Sequence, residues 1–191
     1  TMNCMMEALG MALPGNGTIP APYSGQRRAL ARQAGRVIVG LVKRNVRPRD
    51  ILTMQAFRNA IAVDMAIGGS TNTVLHLPAI AYEAGLELPL GLFDEISAKT
   101  PYLCKLSPGG THHMQDLNEA GGISAVMARL AEAGAVDASV PTVTGPLAER
   151  LKNARVLDDK IIHPLSSPYR ATGGIAILKG NLAPDCGVVK E

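Results

Sequence analysis

The stretch AVDMAIGGSTNTVLHLPAIAYEAG, residues 62–85, constrains the fold more than any other part of this chain. An apolar run carrying one carboxylate, Asp64, breaks at Gly68-Gly69, offers Ser70, Thr71 and Asn72, and returns to an apolar helical pattern. Two helices are therefore expected to meet at a glycine corner. The first is capped at Thr53 and runs to about Ile67; the second runs from Ser70 or Thr71 to Ala84. Pro78 falls inside the second helix and is expected to bend or split it.

The corner reads in two ways. In one, Ser70 or Thr71 caps the second helix and the glycines simply make the turn. In the other, the unpaired N–H groups and positive dipole end of that helix hold a carboxylate or phosphate, which approaches over glycines that carry no side chain. Local chemistry leaves both open. Asp64 needs compensation in its apolar surroundings. It can cap a neighbouring helix, pair with an arginine or face a polar site, and a structural role is favoured. His76, between Leu75 and Leu77, reads as a hydrogen-bonded core residue rather than a ligand.

Composition narrows the class. Hydrophobic residues make up 47% of the 191 and charged ones 18%, which suits a core-forming chain of one domain, or one domain and part of another. Aromatics are only 3% and Trp is absent, so Ala, Leu, Ile, Val and eight Met must fill the core; such side chains pack closely spaced helices. The net charge of +3 is small and no aromatics interleave with a basic run, so nucleic acid is not an expected partner. No apolar run reaches membrane-spanning length, and no membrane partner is expected. No basic-then-apolar signal opens the chain, and its start at Thr1 suggests an excised or partial chain. Cys4, Cys104 and Cys186 are far apart and odd in number, matching neither a disulfide framework nor a C-x-x-C metal site, so a reducing, cytoplasmic setting is expected.

The remaining segments read as short elements. MNCMMEALGMAL predicts a helix over 2–13 despite Gly10, ended by PGNGTIPAPYSG. Ser24 is the expected N-cap of a long helix through about Asn45, with Leu30, Ala34, Val37, Ile38, Leu41 and Val42 on one side. Arg27, Arg28, Arg32 and Arg36 point elsewhere, as a solvated face or, less favoured, toward an acidic partner. RPRDILT reads as a turn, LFDEISAKTP as a short helix stopped by Pro101, MQDLNEAGG as another closed by Gly-Gly, and ISAVMARLAEAG as an amphipathic helix ending at Gly134. PTVTGPLAERLKNA predicts an extended piece and a helix from near Pro146. KIIHPL and GGIAILKGNLAPDCGVVK favour strands. His112, His113 and Asp116 fit a hydrogen-bonded helix start better than a metal site, because adjacent histidines diverge and further ligands are missing.

Several stretches together resemble the dihydroxy-acid dehydratase / phosphogluconate dehydratase family. They are TMNCMMEALGMALPGNGT at 1–18, AIGGSTNTVLHLPAIAYEAG at 66–85, ISAKTPYLCKLSPGG at 97–110, MQDLNEAGGISAVM at 114–127, TVTG at 142–145 and GGIAILKGNLAPDCGVVK at 173–190. NAIAVDMAIGGSTN looks more like the dihydroxy-acid branch than the phosphogluconate one, with a sugar-acid or 6-phosphogluconate dehydratase as the alternative. The resemblance implies a helix-dominated α/β fold, with residues 1–158 part of an N-terminal α/β domain and 159–191 the first strands of a C-terminal β-barrel domain. It implies a hydro-lyase that turns 2,3-dihydroxy acids into 2-oxo acids in branched-chain amino-acid biosynthesis, and a homodimer or higher homo-oligomer at full length. It also implies an iron–sulfur cluster, usually 2Fe–2S, and Mg2+ in the full-length enzyme, with neither bound by this fragment. The family's cluster cysteines, Mg2+ ligands and base match no position here, so no catalytic or metal residue is assigned and the fragment is expected to be inactive alone. With substrates that always carry a carboxylate, Gly68, Gly69, Ser70, Thr71 and Asn72 become the expected substrate-binding residues. The alternative of another class is a non-catalytic helical binding or scaffold domain.

Overall fold

A computed structural model of the chain describes residues 1–21 and 25–190. Its centre is helix α4 (Met54–Ala66), ten of whose thirteen residues are buried. A helix apolar nearly all round has to sit inside a domain, and four others enclose it: α1 (Met2–Ala8), α5 (Thr71–Glu83), α6 (Gly91–Ser97) and α8 (Gly122–Glu132). Small side chains such as Ala56, Ala60 and Ala62 on α4 leave room for Met5, Leu77, Phe93, Ile123 and Leu130 from these neighbours. The expectation of a helix-packed core poor in aromatics is met; Phe57 and Phe93 are both fully buried within it.

Short elements complete the body. Helix α7 (Met114–Glu119) leads into α8 through Gly121, and β1 (Pro141–Thr142) pairs with β2 (Gly145–Pro146) before α9 (Leu147–Leu151). At the far end β3 (Ile175–Gly180) and β4 (Ala183–Lys190) form an antiparallel hairpin, with Ile177 opposite Val188. The chain is thus helix-dominated with two small antiparallel sheets; the described strands do not close a barrel. Among the described residues no helix is long and apolar enough to cross a membrane.

Several local expectations hold and others need correction. Thr53 caps α4, its hydroxyl accepting from Ala56 N at 3.2 Å. The first helix ends at Ala8 rather than Leu13, because the chain turns at Gly10, which has φ +80°. Helix α5 runs unbroken through Pro78. The RPRDILT segment holds a one-turn helix, α3 (Pro48–Ile51), with Pro48 at its first position and the Asp50 carboxylate accepting from Arg47 N at 2.7 Å. KIIHPL forms turns, not a strand: Ile161 and Ile162 bury as anchors while their backbone amides bond to Asp158 O.

The largest departure is α2 (Gly25–Lys43), whose expected cap Ser24 lies outside the described residues. Of its apolar stripe only Leu41 is buried, in a minor cluster with Leu13, Ile51 and Val143; Ile38 is 54% exposed and Val42 72%. Periodicity shows which face of a helix is apolar but not what covers it. Arg27 leaves the arginine face to donate to Asn16 Oδ1 at 3.2 Å and to the Ile19 carbonyl.

Replacing Phe57 by Ala is expected to lower the unfolding free energy by about 3–5 kcal/mol, through lost transfer energy and a cavity that α4 cannot close. Val42→Ala, on the exposed side of α2, should change it by less than about 0.5 kcal/mol. Denaturant titration of both variants checks the contrast.

Candidate functional site

Helix α4 ends in the interior, so its last carbonyls need partners there. Ala66 O accepts from Leu103 N at 2.8 Å and from Cys104 N at 2.9 Å, and Met65 O accepts from Gly174 N at 3.3 Å. These bonds bring two distant segments, 102–104 and 173–175, against the Gly68-Gly69 corner. Gly68 has φ +82° and Gly69 φ +59°, a left-handed region that side chains rarely occupy. Space excludes a side chain as well. A Cβ on Gly68 would lie 2.6 Å from the Tyr102 hydroxyl, and one on Gly69 would lie 2.7 Å from Ile175 Cδ1 and 3.0 Å from Asp64 Oδ2.

Beyond the glycines, Ser70 is the N-cap of α5, its hydroxyl accepting from Asn72 N at 3.3 Å. Gly68 and Gly69 are buried, Ser70 is half-buried, and Thr71 and Asn72 stand exposed on the first turn. The corner therefore divides into a glycine floor packed inside the protein and a polar rim facing out. Lys190, from the end of β4, reaches over this rim and donates from Nζ to the Gly69 carbonyl at 2.9 Å. It brings a positive charge to the end of α5 where the helix dipole is positive.

Asp64 lies directly beneath. It is fully buried, pairs with no arginine, and shares a hydrogen bond of 2.5 Å between Oδ2 and Thr73 Oγ1, while Oδ1 has no partner. Burial pushes its carboxyl up to about 7, against smaller opposing effects from the Thr73 hydroxyl, Lys190 and the Ser70 amide. Of the roles open to Asp64 from sequence, pairing with an arginine is not the one observed: its carboxyl bonds the side chain of Thr73 in the first turn of α5, whose N-cap is Ser70. Sequence reasoning passed over Thr73 and Lys190. The spacing of Ser70 and Thr73 across one helical turn was a usable signal, whereas nothing local points to Lys190.

The other candidates fall elsewhere. His76 is exposed, contrary to the core role expected, because its side of α5 faces an open apolar cavity shared with Met2, Met6 and Ile80. His113 N donates to the Asp116 carboxylate at 2.6 Å, the helix-start arrangement expected for that cluster. An iron–sulfur cluster needs converging thiolates, and these residues do not fit one. The Cys4 thiol is fully buried, donates to Gly17 O at 3.5 Å and is pushed up to about 11 by burial; Cys104 is raised further for the same reason. Among the described residues no three Cys, His, Asp or Glu side chains converge as metal ligands, which leaves Mg2+ no carboxylate set either.

The corner thus sets a glycine turn and a helix start beside a lysine ammonium. The chain belongs to the dihydroxy-acid/6-phosphogluconate dehydratase family: the model for the family's N-terminal part matches residues 1–150, and that for its C-terminal part residues 160–191. Over its whole length the chain is 61% identical to a dihydroxy-acid dehydratase of Nitratidesulfovibrio vulgaris (strain DSM 19637 / Miyazaki F). It is 60% identical to one of Clostridium novyi and 57% identical to one of Moorella thermoacetica. It spans 34–35% of the length of these relatives.

Two outcomes follow from the corner's geometry. Gly68→Ala combines a positive φ with the Tyr102 contact and should cost about 1–3 kcal/mol of stability, seen as a lower Tm. Asp64 binds its proton more tightly folded than unfolded, so its stabilising contribution is complete below about pH 4 and lost as pH rises to about 7. In Asp64→Asn this part of the pH dependence should vanish, as read by thermal unfolding across that range.

Proposed function

We propose that this chain is part of a hydro-lyase that dehydrates 2,3-dihydroxy acids to 2-oxo acids, and that the corner between α4 and α5 holds the substrate carboxylate. The 61% identity to a dihydroxy-acid dehydratase across the whole chain carries the reading. It sets aside the sugar-acid dehydratase and the non-catalytic scaffold as the function of the full-length protein.

In the dehydration the C2 proton leaves to a base, the C3 hydroxyl departs as water, and the resulting enol tautomerises to the oxo acid. The substrate carboxylate is one bond from C2 and two from C3, so an anchor on it sets the position of both reacting carbons. Thr71 Oγ1, Asn72 Nδ2 and the Lys190 ammonium are the donors for that anchor, while Gly68 and Gly69, packed under Tyr102 and Ile175, shape the turn beneath it. The iron–sulfur cluster and Mg2+ implied by the family resemblance take their ligands from residues outside these 191, as do the base and the acid. On the same reading residues 159–191 open a C-terminal β-barrel domain. Leu178 and Val189, exposed on the β3–β4 hairpin, offer apolar surface for further strands to cover. The full-length protein is then a cytoplasmic homo-oligomer acting on a small molecule.

In the full-length enzyme Thr71→Ala, Asn72→Ala and Lys190→Gln should each raise KM for a dihydroxy acid by about tenfold, with a smaller change in kcat. Steady-state kinetics decide it: an unchanged KM in all three variants contradicts the carboxylate site, and absence of dehydratase activity in the parent contradicts the enzyme assignment.

A further inference from the structure

The Thr73 hydroxyl has more acceptors than protons. Its Oγ1 lies 2.5 Å from Asp64 Oδ2 and also 2.5 Å from the Ser70 carbonyl oxygen. Two oxygens at that separation need a hydrogen between them. The hydroxyl supplies one hydrogen, and the Ser70 carbonyl can only accept. An ionised Asp64 could also only accept, which would leave one of the two contacts as bare oxygen against oxygen. A proton on Asp64 fills both: Oδ2–H donates to Thr73 Oγ1, and the Thr73 hydroxyl donates to Ser70 O.

The surroundings agree with a neutral acid. Asp64 is fully buried, Oδ1 has no partner, and the Lys190 ammonium bonds the Gly69 carbonyl rather than the carboxyl, so that its charge and the Ser70 amide offset burial only in part. A charged carboxylate with an uncompensated oxygen would be costly there. It would also set a negative charge just behind a helix end that receives an anion, and like charges so placed oppose each other.

We propose that Asp64 is a positioning residue held as the neutral carboxylic acid, whose proton starts a directed chain through Thr73 Oγ1 to the Ser70 carbonyl and so fixes the first turn of α5 with Thr71 and Asn72 facing the substrate. The role in substrate binding rests on the carboxylate reading above; the protonation does not. Asp64 touches no substrate and acts through the backbone that Thr73 locks.

The test is isotope-edited infrared spectroscopy of the full-length protein at about pH 6, combined with kinetics. Wild type minus Asp64→Asn should show the carbonyl stretch of a protonated carboxyl group. Thr73→Val, which keeps the shape but removes the relay, should shift that band. Asp64→Ala and Thr73→Val should raise KM by about tenfold with less effect on kcat. Asp64→Asn can still donate a hydrogen bond and should recover most of the loss. An ionised-carboxylate band in place of the acid band overturns the proposal, whatever the kinetics. An acid band with KM unchanged in Thr73→Val overturns the positioning role, and Thr73→Val decides this even if Asp64→Ala does not fold. If instead Thr71→Ala and Asn72→Ala leave KM unchanged, the carboxylate reading fails, while the infrared bands still decide the protonation.

Discussion

Helix α4 terminates inside the protein, and its buried carbonyl ends organise what surrounds them. A helix end in water leaves its last carbonyls to solvent; an interior end must recruit amides from elsewhere. Ala66 O takes two, from Leu103 and Cys104, and Met65 O takes the Gly174 amide. Those bonds hold segments some 40 and 110 positions downstream against the glycine corner. The close approach of Tyr102 and Ile175 then forbids any side chain at Gly68 or Gly69. Backbone satisfaction thus leads to glycine at the turn from α4 into α5.

The same corner joins stability to function. Its inner side carries Asp64 and Thr73 in a water-free setting, where hydrogen bonds are strong and missing partners costly. Its outer side carries Thr71, Asn72 and Lys190, exposed and able to rearrange around a guest. On the proposed reading, a rigid inner layer under an exposed rim would align the helix end before a carboxylate arrives, leaving little ordering to binding. The chain spans about a third of the length of the relatives it matches.

What could be read from sequence was local. Thr53 and Ser70 announce helix starts because capping is decided within four residues, and the buried glycine corner follows from a break between two apolar helical runs. His113 and Asp116 were legible for the same reason. Contacts across the chain were not. Lys190 reaches Gly69 from 121 residues away, and no local pattern marks it. His76 sits among leucines yet faces outward, since its neighbours in sequence do not define its side of the helix. The apolar stripe of α2 is real in the sequence, but most of it stays uncovered among the described residues. The family resemblance suggested a carboxylate as guest, whereas Lys190 and the crowded Thr73 hydroxyl came only from the geometry.

A crystal structure of the full-length protein with a bound dihydroxy acid tests the central claim most directly. The substrate carboxylate is expected at the start of α5, within hydrogen-bonding distance of Thr71 or Asn72 and beside the Lys190 ammonium, with Gly68 and Gly69 unmoved. A carboxylate bound elsewhere, with the corner facing only protein, would contradict the account and return Ser70 to the role of a simple helix cap.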